Sequence, residues 1–448
     1  MKKLILTALL AASAGAFSSA QDSASSSTTF VFTNVNVIPM DRETVLRDQH
    51  VIVTDGKIVS VGPAAGAKAP AGAASRIDGA GKFLMPALAE MHAHIPGGNA
   101  PDPLIERTLL LYAANGLGTI RGMLGHPRHL AYRDRVAKGE LFSPRIYTSG
   151  PSLNGQSVPT KEAAIEAVTA QKAAGYDFLK IHPGIRRDVF DALAAKAHEV
   201  GFDFAGHVPL DVGLHRALEA RYRSIDHVDG YVEALSNNPT KSDFFGLNLV
   251  SELDQSKISA LVEATKAAGT WIVPTQVLFD NLMTEEDPAA MAKRAEMRYV
   301  QPQEEIQKWI AQKEGLRAKY SAADRVKFLG VRRQLIKALH DGGVPLALGS
   351  DAPQWWNVPG FSAHRELQSL VRAGLTPYQA LRTGTIRVAE YFGREDTGTI
   401  APGKRADLIL LEANPLETIS HSSRIAGVML GGRWMPKAEL DKRLNGTK

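Results

Sequence analysis

Two histidines separated by a single residue, His92 and His94, are the first side chains along the chain whose spacing suits metal chemistry. On a β-strand, residues i and i+2 point to the same face, so both imidazoles can approach one ion. The pair ends an apolar run, and the Pro96-Gly97-Gly98 stretch that follows is typical of a loop. An isolated pair of this kind also occurs as two ordinary surface histidines, so its meaning depends on its context.

Four further side chains with ligand or proton-transfer chemistry lie in or after other apolar runs: Lys180, His207, His227 and Asp351. Each has a simple structural interpretation. A strand-end histidine can pack in a core, a lysine can bury its stem, and an aspartate after Gly-Ser can cap a helix. Their order, one at each of several successive predicted strand ends, favours a common site. In a (β/α)8 barrel the carboxyl ends of the strands meet at one face, where such enzymes keep their catalytic groups.

The elements that would position these residues alternate along the middle of the chain. Short β-like runs are separated by amphipathic helical runs, such as 162–174 and 188–201, and this pattern favours a parallel sheet. We predict an α/β fold, a distorted TIM (β/α)8 barrel over residues 83–399. Its eight strands are predicted at 84–94, 119–123, 145–149, 178–181, 204–208, 224–228, 271–274 and 345–350.

Both ends of the chain carry strand patterns outside this barrel. Residues 30–62 hold β-branched runs with Asp55-Gly56 as a hairpin turn, and residues 406–434 hold similar runs. Neither stretch is large enough to bury a core alone, so we predict one small composite β-sandwich from 30–82 plus 400–437. The charged segment at about 276–344 is predicted to be a helical insertion, either a lid or subunit contact at the catalytic face or a surface addition.

The first residues have the pattern of a targeting segment. Two lysines near the start, an apolar run and small residues before Gln21 are typical of a signal peptide, residues 1–20, cleaved near Ala20. Residues 21–29 are predicted to be a linker, and a buried N-terminal helix is the alternative. The apolar run is shorter than the ~20 residues of a membrane span. We therefore expect a periplasmic or secreted protein without a membrane anchor.

Composition excludes several classes of protein. The 448 residues are 44% hydrophobic and 22% charged, which is ordinary for a globular chain. There is no cysteine, which excludes disulfides and a thiol nucleophile and suits an oxidising compartment. The formal net charge of +5 comes from cations interleaved with acids rather than from a basic stripe, so no nucleic-acid partner is expected.

The motif set resembles the amidohydrolase superfamily, in the subtype with two metals and the branch of imidazolonepropionase-like and prolidase-like enzymes. The resemblance covers nearly the whole mature chain. It rests on Phe83-Leu84-Met85-Pro86 before His92-Ala93-His94, on Leu370-Val371-Arg372-Ala373-Gly374-Leu375-Thr376-Pro377, on Gly398-Thr399-Ile400-Ala401-Pro402-Gly403-Lys404-Arg405-Ala406-Asp407-Leu408 and on Asn414-Pro415.

The resemblance implies a site with two divalent metal ions, zinc before manganese or cobalt. The implied ligands are His92, His94 and Asp351 for one ion, His207 and His227 for the other, and a carboxylated Lys180 that bridges both. Only a neutral amine reacts with carbon dioxide, and burial beside two cations lowers the pKa of a lysine. Asp351 would also pass a proton from a hydroxide shared by the metals to the leaving amine.

Three details bear on the substrate. The loop after the third strand has Gly150-Pro151-Ser152 where prolidase-like relatives often have Gly-Gly-His, which leaves dipeptidase specificity open. Tyr231, four residues past His227, occupies a position where relatives use a phenol against the substrate carbonyl, with packing as the alternative. Trp355 and Trp356 are expected either to line an apolar pocket or to pack in the core.

We expect an enzyme that cleaves amide or peptide bonds of small substrates such as dipeptides or N-acyl amino acids. Hydrolysis of a lactone, phosphoester or cyclic imide on the same metals is the alternative, because fold does not decide substrate. A non-catalytic binding barrel is a third hypothesis, which the complete ligand set disfavours. The sequence leaves open whether the chain forms a homo-oligomer.

Overall fold

The computed structural model describes residues 28–65 and 75–446. The predicted signal peptide and residues 21–27 of the predicted linker lie outside the described residues. Within the two described ranges, no helix has both the length and the apolar character that a membrane span requires.

Strands and helices alternate through most of the described chain. The strands, in order, are β1 (Thr29–Val37), β2 (Leu46–Thr54), β3 (Lys57–Pro63), β4 (Ser75–Asp78), β5 (Phe83–Pro86), β6 (Leu88–Ala93), β7 (Leu117–Gly122), β8 (Arg145–Thr148), β9 (Leu179–Ile181), β10 (Phe204–Gly206), β11 (Ser224–Asp226), β12 (Trp271–Val273), β13 (Leu408–Leu411), β14 (Ile425–Leu430) and β15 (Arg433–Pro436). The helices are α1 (Asp102–Ala114), α2 (Pro127–Ala137), α3 (Lys161–Ala173), α4 (Arg187–Glu199), α5 (Gly213–Glu219), α6 (Tyr231–Leu235), α7 (Ile258–Ala268), α8 (Gln276–Met283), α9 (Pro288–Met291), α10 (Glu304–Lys319), α11 (Ala322–Asp341), α12 (Phe361–Arg372), α13 (Pro377–Thr383), α14 (Ile386–Tyr391) and α15 (Lys437–Gly446).

The middle of the chain forms a closed ring of parallel segments. β6, β7 and β8 make one hydrogen-bonded sheet, and β9 to β12 make a second. A bridge between Ser149 and Phe178 joins the two sheets at one side. At the other side residues 345–352 lie between β12 and β6, where the Asp351 N–H donates to His92 O (2.9 Å). The predicted distorted (β/α)8 barrel is confirmed.

The eighth barrel strand is reduced to isolated bridges. Predicted at 345–350, it pairs with β12 through Leu346 and with β6 through Ala352. The segment approaches β6 closely because Gly349 has no side chain: a Cβ there would lie 2.9 Å from the His92 backbone nitrogen. This close approach brings Asp351 next to the histidine motif.

Strands from both ends of the chain combine into one β module, as predicted. Their sheet has the order β15-β14-β13-β5-β1-β2-β3, with β4 paired to β1. β13 runs antiparallel to β5, with Leu408 opposite Pro86 and Leu411 opposite Phe83. Hydrogen bonds thus link the two ends into one continuous sheet. Its shared apolar core includes Phe32, Val53, Ile58, Leu84, Leu408 and Met429.

The first predicted barrel strand, 84–94, is divided in the structure. β5 belongs to the sheet of the β module, and the barrel strand β6 begins two residues after it. At the break, the Ala87 N–H donates to Asp407 O, and the Leu88 N–H donates to Gly116 O. One apolar run therefore serves two sheets and connects the module directly to the histidine motif.

The segment predicted as an insertion contains helices α8 to α11. α10 reaches the loop after Asp351: Trp355 Nε1 donates to Gln312 Oε1 (2.5 Å), and the ring centroids of Trp309 and Trp356 are 6.1 Å apart. α11 packs against α7 and α8 as an ordinary barrel helix does. The segment therefore combines a normal barrel helix with a helix that supports the catalytic face.

Candidate metal centre

The predicted ligand residues converge at the carboxyl ends of the barrel strands. His92 lies on β6 and Lys180 on β9, while His207 and His227 directly follow β10 and β11. Asp351 lies in the reduced eighth strand, beside the histidine motif. The closed ring of strands brings residues that are far apart in sequence to one face of the barrel.

Asp351 lies at the centre of the group. Its Oδ1 accepts a hydrogen bond from His94 Nε2 (2.7 Å) and lies 3.4 Å from His92 Nε2. Its Oδ2 lies 3.8 Å from His227 Nε2, and the ring centroids of His207 and His227 are 4.5 Å apart. Ligand atoms of His92, His94 and Asp351 all lie within 4.8 Å of one another, so these three side chains could hold a metal ion.

Burial and mutual contacts decide the protonation of this group. Burial would raise the pKa of Asp351, but the adjacent His92 and His94 outweigh it and hold that pKa below its usual range. Burial lowers the pKa of His92 and His227 well below the usual value and that of His207 to about 3. Neutral imidazoles and an ionised carboxylate are the forms in which these side chains bind metals.

Lys180 is the least satisfied residue of the group. Its side chain is fully buried, and among the described residues Nζ has no hydrogen-bond partner. Asp226 Oδ2 lies 3.8 Å from it, and burial lowers the pKa of the amine. Burying an ammonium group without a hydrogen bond costs folding free energy. A carboxylated lysine would instead be a carbamate anion, which cations bound beside it would stabilise. The residues present therefore fit a metal centre in which the Lys180 amine has no hydrogen bond among the described residues.

Room for Lys180 depends on Gly206. This residue has a φ of +126°, and a Cβ on it would lie 2.4 Å from Ile181 O and 2.9 Å from Lys180 Cδ. We expect Gly206→Ala to lower the free energy of unfolding by about 2–4 kcal/mol, measured by urea denaturation. The control is Gly201→Ala, where φ is +58° and no atom lies within 4 Å, with an expected loss of about 1 kcal/mol. Equal losses would contradict the close packing around Gly206.

Two histidines have hydrogen-bond partners behind them. His207 Nδ1 donates to Asp229 Oδ2 (2.9 Å), and His227 Nδ1 shares a hydrogen bond with Thr275 Oγ1 (2.8 Å). Such bonds hold an imidazole in one orientation and choose the nitrogen that faces the site. The backbone at three of the site residues adopts the left-handed region, with φ of 65° at His227, 62° at Asp351 and 46° at Thr275. Strain of this kind is found where the surrounding structure holds a functional geometry.

A buried ion pair lies beneath the group, inside the barrel. Arg121 donates to Asp226 Oδ1 (3.1 Å) and also to Met91 O, Ser224 Oγ and the Tyr391 hydroxyl. Asp226 Oδ2 lies 3.1 Å from His92 Nδ1. These partners were not predicted from the sequence. Asp226 and Asp229 flank His227, which is a signal that could have found them, whereas nothing near Arg121 or Thr275 points to the site.

We expect Asp226→Asn to lower the free energy of unfolding of the metal-free protein by about 3–5 kcal/mol, because Arg121 then stays buried without its counter-charge. The measurement is urea denaturation after chelation. Adding Arg121→Met should recover part of the loss, so the two changes would be non-additive. Asp396→Asn, which removes a partly exposed ion pair with Arg394, is the control and should cost less than about 1 kcal/mol. A similar loss for both single variants would contradict the prediction.

The hydroxyl of Tyr231 is hydrogen-bonded inside the protein. Its side chain is completely buried, and its hydroxyl shares a hydrogen bond with Thr265 Oγ1 (2.7 Å) on α7. This hydrogen bond between helices favours packing, the alternative for Tyr231, and the substrate contact stays a prediction. The two tryptophans differ in exposure. Trp356 is fully buried, whereas Trp355 is partly exposed, and its ring centroid lies 6.1 Å from that of Phe244.

Sequence relatives are found over most of the chain. An imidazolonepropionase from Cereibacter sphaeroides is 24% identical over 399 residues, which is 82% of this chain and 89% of that protein. An ochratoxinase from Aspergillus niger is 24% identical over 416 residues, covering 86% of this chain and 81% of the relative. A shorter match, 34% identical over 87 residues, spans 22% of the length of an imidazolonepropionase from Deinococcus deserti.

Solved structures share the fold. A bottromycin amidohydrolase superposes with a TM-score of 0.71 at 22% identity, over 94% of this chain and 90% of the other. A putative prolidase from Bifidobacterium longum gives a TM-score of 0.66 at 23% identity, over 94% and 99%. The model of the amidohydrolase family matches residues 83–435, which include the whole barrel and every predicted ligand. The chain therefore belongs to the amidohydrolase family and is a hydrolase that acts on carbon–nitrogen bonds.

Proposed function

We propose that this chain hydrolyses the amide or peptide bond of small substrates such as dipeptides and N-acyl amino acids. The observation that carries the proposal is the meeting of His92, His94 and Asp351 with Lys180 and the two further histidines at the carboxyl face of the barrel. Family relatives that are named for prolidase activity support an amide or peptide bond as the target.

We further propose two divalent ions, zinc first, at this site. The proposed ligands are His92, His94 and Asp351 for one ion, His207 and His227 for the other, and a carboxylated Lys180 between them. The buried, unbonded Nζ of Lys180 supports the modification, because it leaves the site with an unmet polar atom among potential cation ligands. When bound, such ions lower the pKa of water and polarise a carbonyl.

The chain itself supplies proton transfer and orientation in this proposal. Asp351 is held ionised against His94, so its carboxylate can accept a proton at the reaction centre and return it to the leaving amine. Asp229 and Thr275 keep His207 and His227 in the orientation that ligation needs. The buried barrel interior beneath them excludes water from that side.

The test is amine release from a mixed panel of dipeptides and N-acyl amino acids by metal-loaded protein, with Asp351→Asn as the control. We expect turnover that the control loses. No turnover by a protein with metals bound would contradict the proposal and would favour the alternative substrates, which are lactones, phosphoesters and cyclic imides.

We also propose that the chain is exported, because residues 1–20 have the pattern of a signal peptide. Fractionation of the producing cells and N-terminal sequencing of the mature protein test this. A mature protein that begins at Gln21 in the periplasm or medium is expected. A cytosolic protein that retains its first residues would contradict export.

A further inference from the structure

A cavity of about 570 Å³ begins at the candidate metal centre and reaches the protein surface. His207 and Phe245 line it at the end next to the candidate metal centre, and residues of α5 and of the segment 239–244 also line it. Leu210 lines it as well and is 44% exposed, so the cavity opens to solvent there. The volume lies within the ~300–1,000 Å³ typical of small-molecule sites.

Phe245 lines the cavity close to two of the candidate histidine ligands. The Phe245 ring centroid lies 6.2 Å from that of His207 and 6.0 Å from that of His227. Phe245 has a φ of 49°, so its backbone is strained, and its ring packs edge-on against Phe279 at 5.0 Å. A strained residue wedged beside a reaction centre is typical of a position with a functional role.

Most of the surface that lines the cavity is apolar. Its apolar residues include Val208, Pro209, Leu210, Val212, Leu214 and Phe244. Leu210 and Phe244 retain exposed surface although both are large and hydrophobic. Apolar surface left open beside a reaction centre gains binding energy when an apolar group covers it.

Several charged groups in the wall are already paired within the protein. Arg187 and Arg216 both bond to Asp191. The Asp243 carboxylate accepts hydrogen bonds from Lys319 and from the Tyr320 hydroxyl. A substrate carboxylate would have to displace these partners to be recognised here. In an intact N-acyl amino acid the carboxylate lies on the amino-acid side of the scissile bond. The acyl side carries only an apolar chain beyond the scissile carbonyl.

We propose that this cavity binds the apolar acyl chain of the substrate and selects N-acyl amino acids with long chains over those with short ones. The inference rests on the proposed function and names its substrate class. The open outer end at Leu210 accommodates chains of different length. The inner end at Phe245 directs the carbonyl of the scissile bond toward the histidines.

The experiment compares N-acetyl-, N-hexanoyl- and N-decanoylglycine as substrates of the metal-loaded enzyme, with glycine release as the readout. We expect kcat/KM to rise at least about tenfold from acetyl to decanoyl, mainly through KM. Leu210→Asp should remove about tenfold of the decanoyl preference. Ile165→Asp is the matched control, since Ile165 is 40% exposed on the outer helix α3 and should keep the preference.

A second measurement is independent of turnover. Decanoate and acetate are titrated calorimetrically into wild-type protein and into Leu210→Asp, and we expect decanoate binding that the variant weakens. If no amide bond between the acyl group and glycine is cleaved but this binding is seen, the proposed function fails and the cavity assignment stands. Equal kcat/KM for acetyl and decanoyl substrates, or a preference that Leu210→Asp leaves intact, would overturn the acyl-chain assignment and leave the proposed function in place.

Discussion

Replacing Asp351 by Asn is expected to lower kcat by about a hundredfold to ten-thousandfold, with a smaller change in KM. Asparagine keeps the shape of the side chain but has neither the charge that His92 and His94 stabilise nor a basic oxygen that can accept a proton. The measurement is steady-state amine release on the best substrate of the panel, together with the metal content of the purified protein.

Asp188→Asn is the matched control for this change. Asp188 is an exposed carboxylate at the start of α4, paired with Arg186, and its loss should leave kcat within about twofold. The metal content separates two ways in which Asp351 could act. A variant that retains its metals but not its turnover points to proton transfer, and one that loses metal points to ligation. A variant with metals bound and near-normal kcat would remove Asp351 from the mechanism.

Replacing Lys180 by Met is expected to change function and stability in opposite directions. Metal affinity and turnover should each fall by at least about a hundredfold, because loss of even an outer partner of a metal ligand costs 10–100-fold. The free energy of unfolding of the metal-free protein should rise by about 1–4 kcal/mol, because an apolar side chain replaces a buried amine that has no hydrogen bond. Asp226 keeps its closer partner, Arg121, in the variant.

A second buried lysine provides the control. Lys313 is also fully buried, but its Nζ donates to Asn281 O (2.5 Å), so Lys313→Met leaves a buried carbonyl without that donor and should destabilise the protein. The measurements are urea denaturation of metal-free protein and metal titration. A carbon-13 resonance of a carbamate on wild-type protein, absent from Lys180→Met, would identify the modification. Destabilisation by both lysine variants would contradict the view of Lys180 as an unsatisfied group.

The candidate ligands could be found from the sequence because the relevant pattern is local. An apolar run that ends in a polar residue marks a strand end, and barrel topology places those ends on one face whatever the loops between them do. His207 and His227 were therefore predictable as neighbours without any knowledge of their contacts. The same reasoning found the β module, because turn residues and β-branched runs mark its strands.

Other features were not predictable, because they depend on contacts between distant segments. The run 84–94 has a single apolar pattern, and only pairing with β13 shows that its first part belongs to another sheet. Tyr231 has the sequence position of a substrate contact, but the packing of α6 against its surroundings turns its hydroxyl to Thr265. The position of Phe245 depends on a left-handed backbone conformation. Phenylalanine does not favour that conformation, so the sequence does not predict it.

The fold class, the family and the order of the polar residues at the strand ends could be read from the linear chain, because periodicity and short motifs are properties of neighbouring residues. The partners that surround those residues depend on how distant segments pack together. Arg121 and Asp226 are 105 residues apart and meet only because the barrel closes. The cavity beside His207 exists only where four separate segments, 183–187, 207–219, 229–234 and 239–245, come together. The orientation and burial of the site residues, and the access of solvent to them, thus arise from packing between segments that are far apart in sequence.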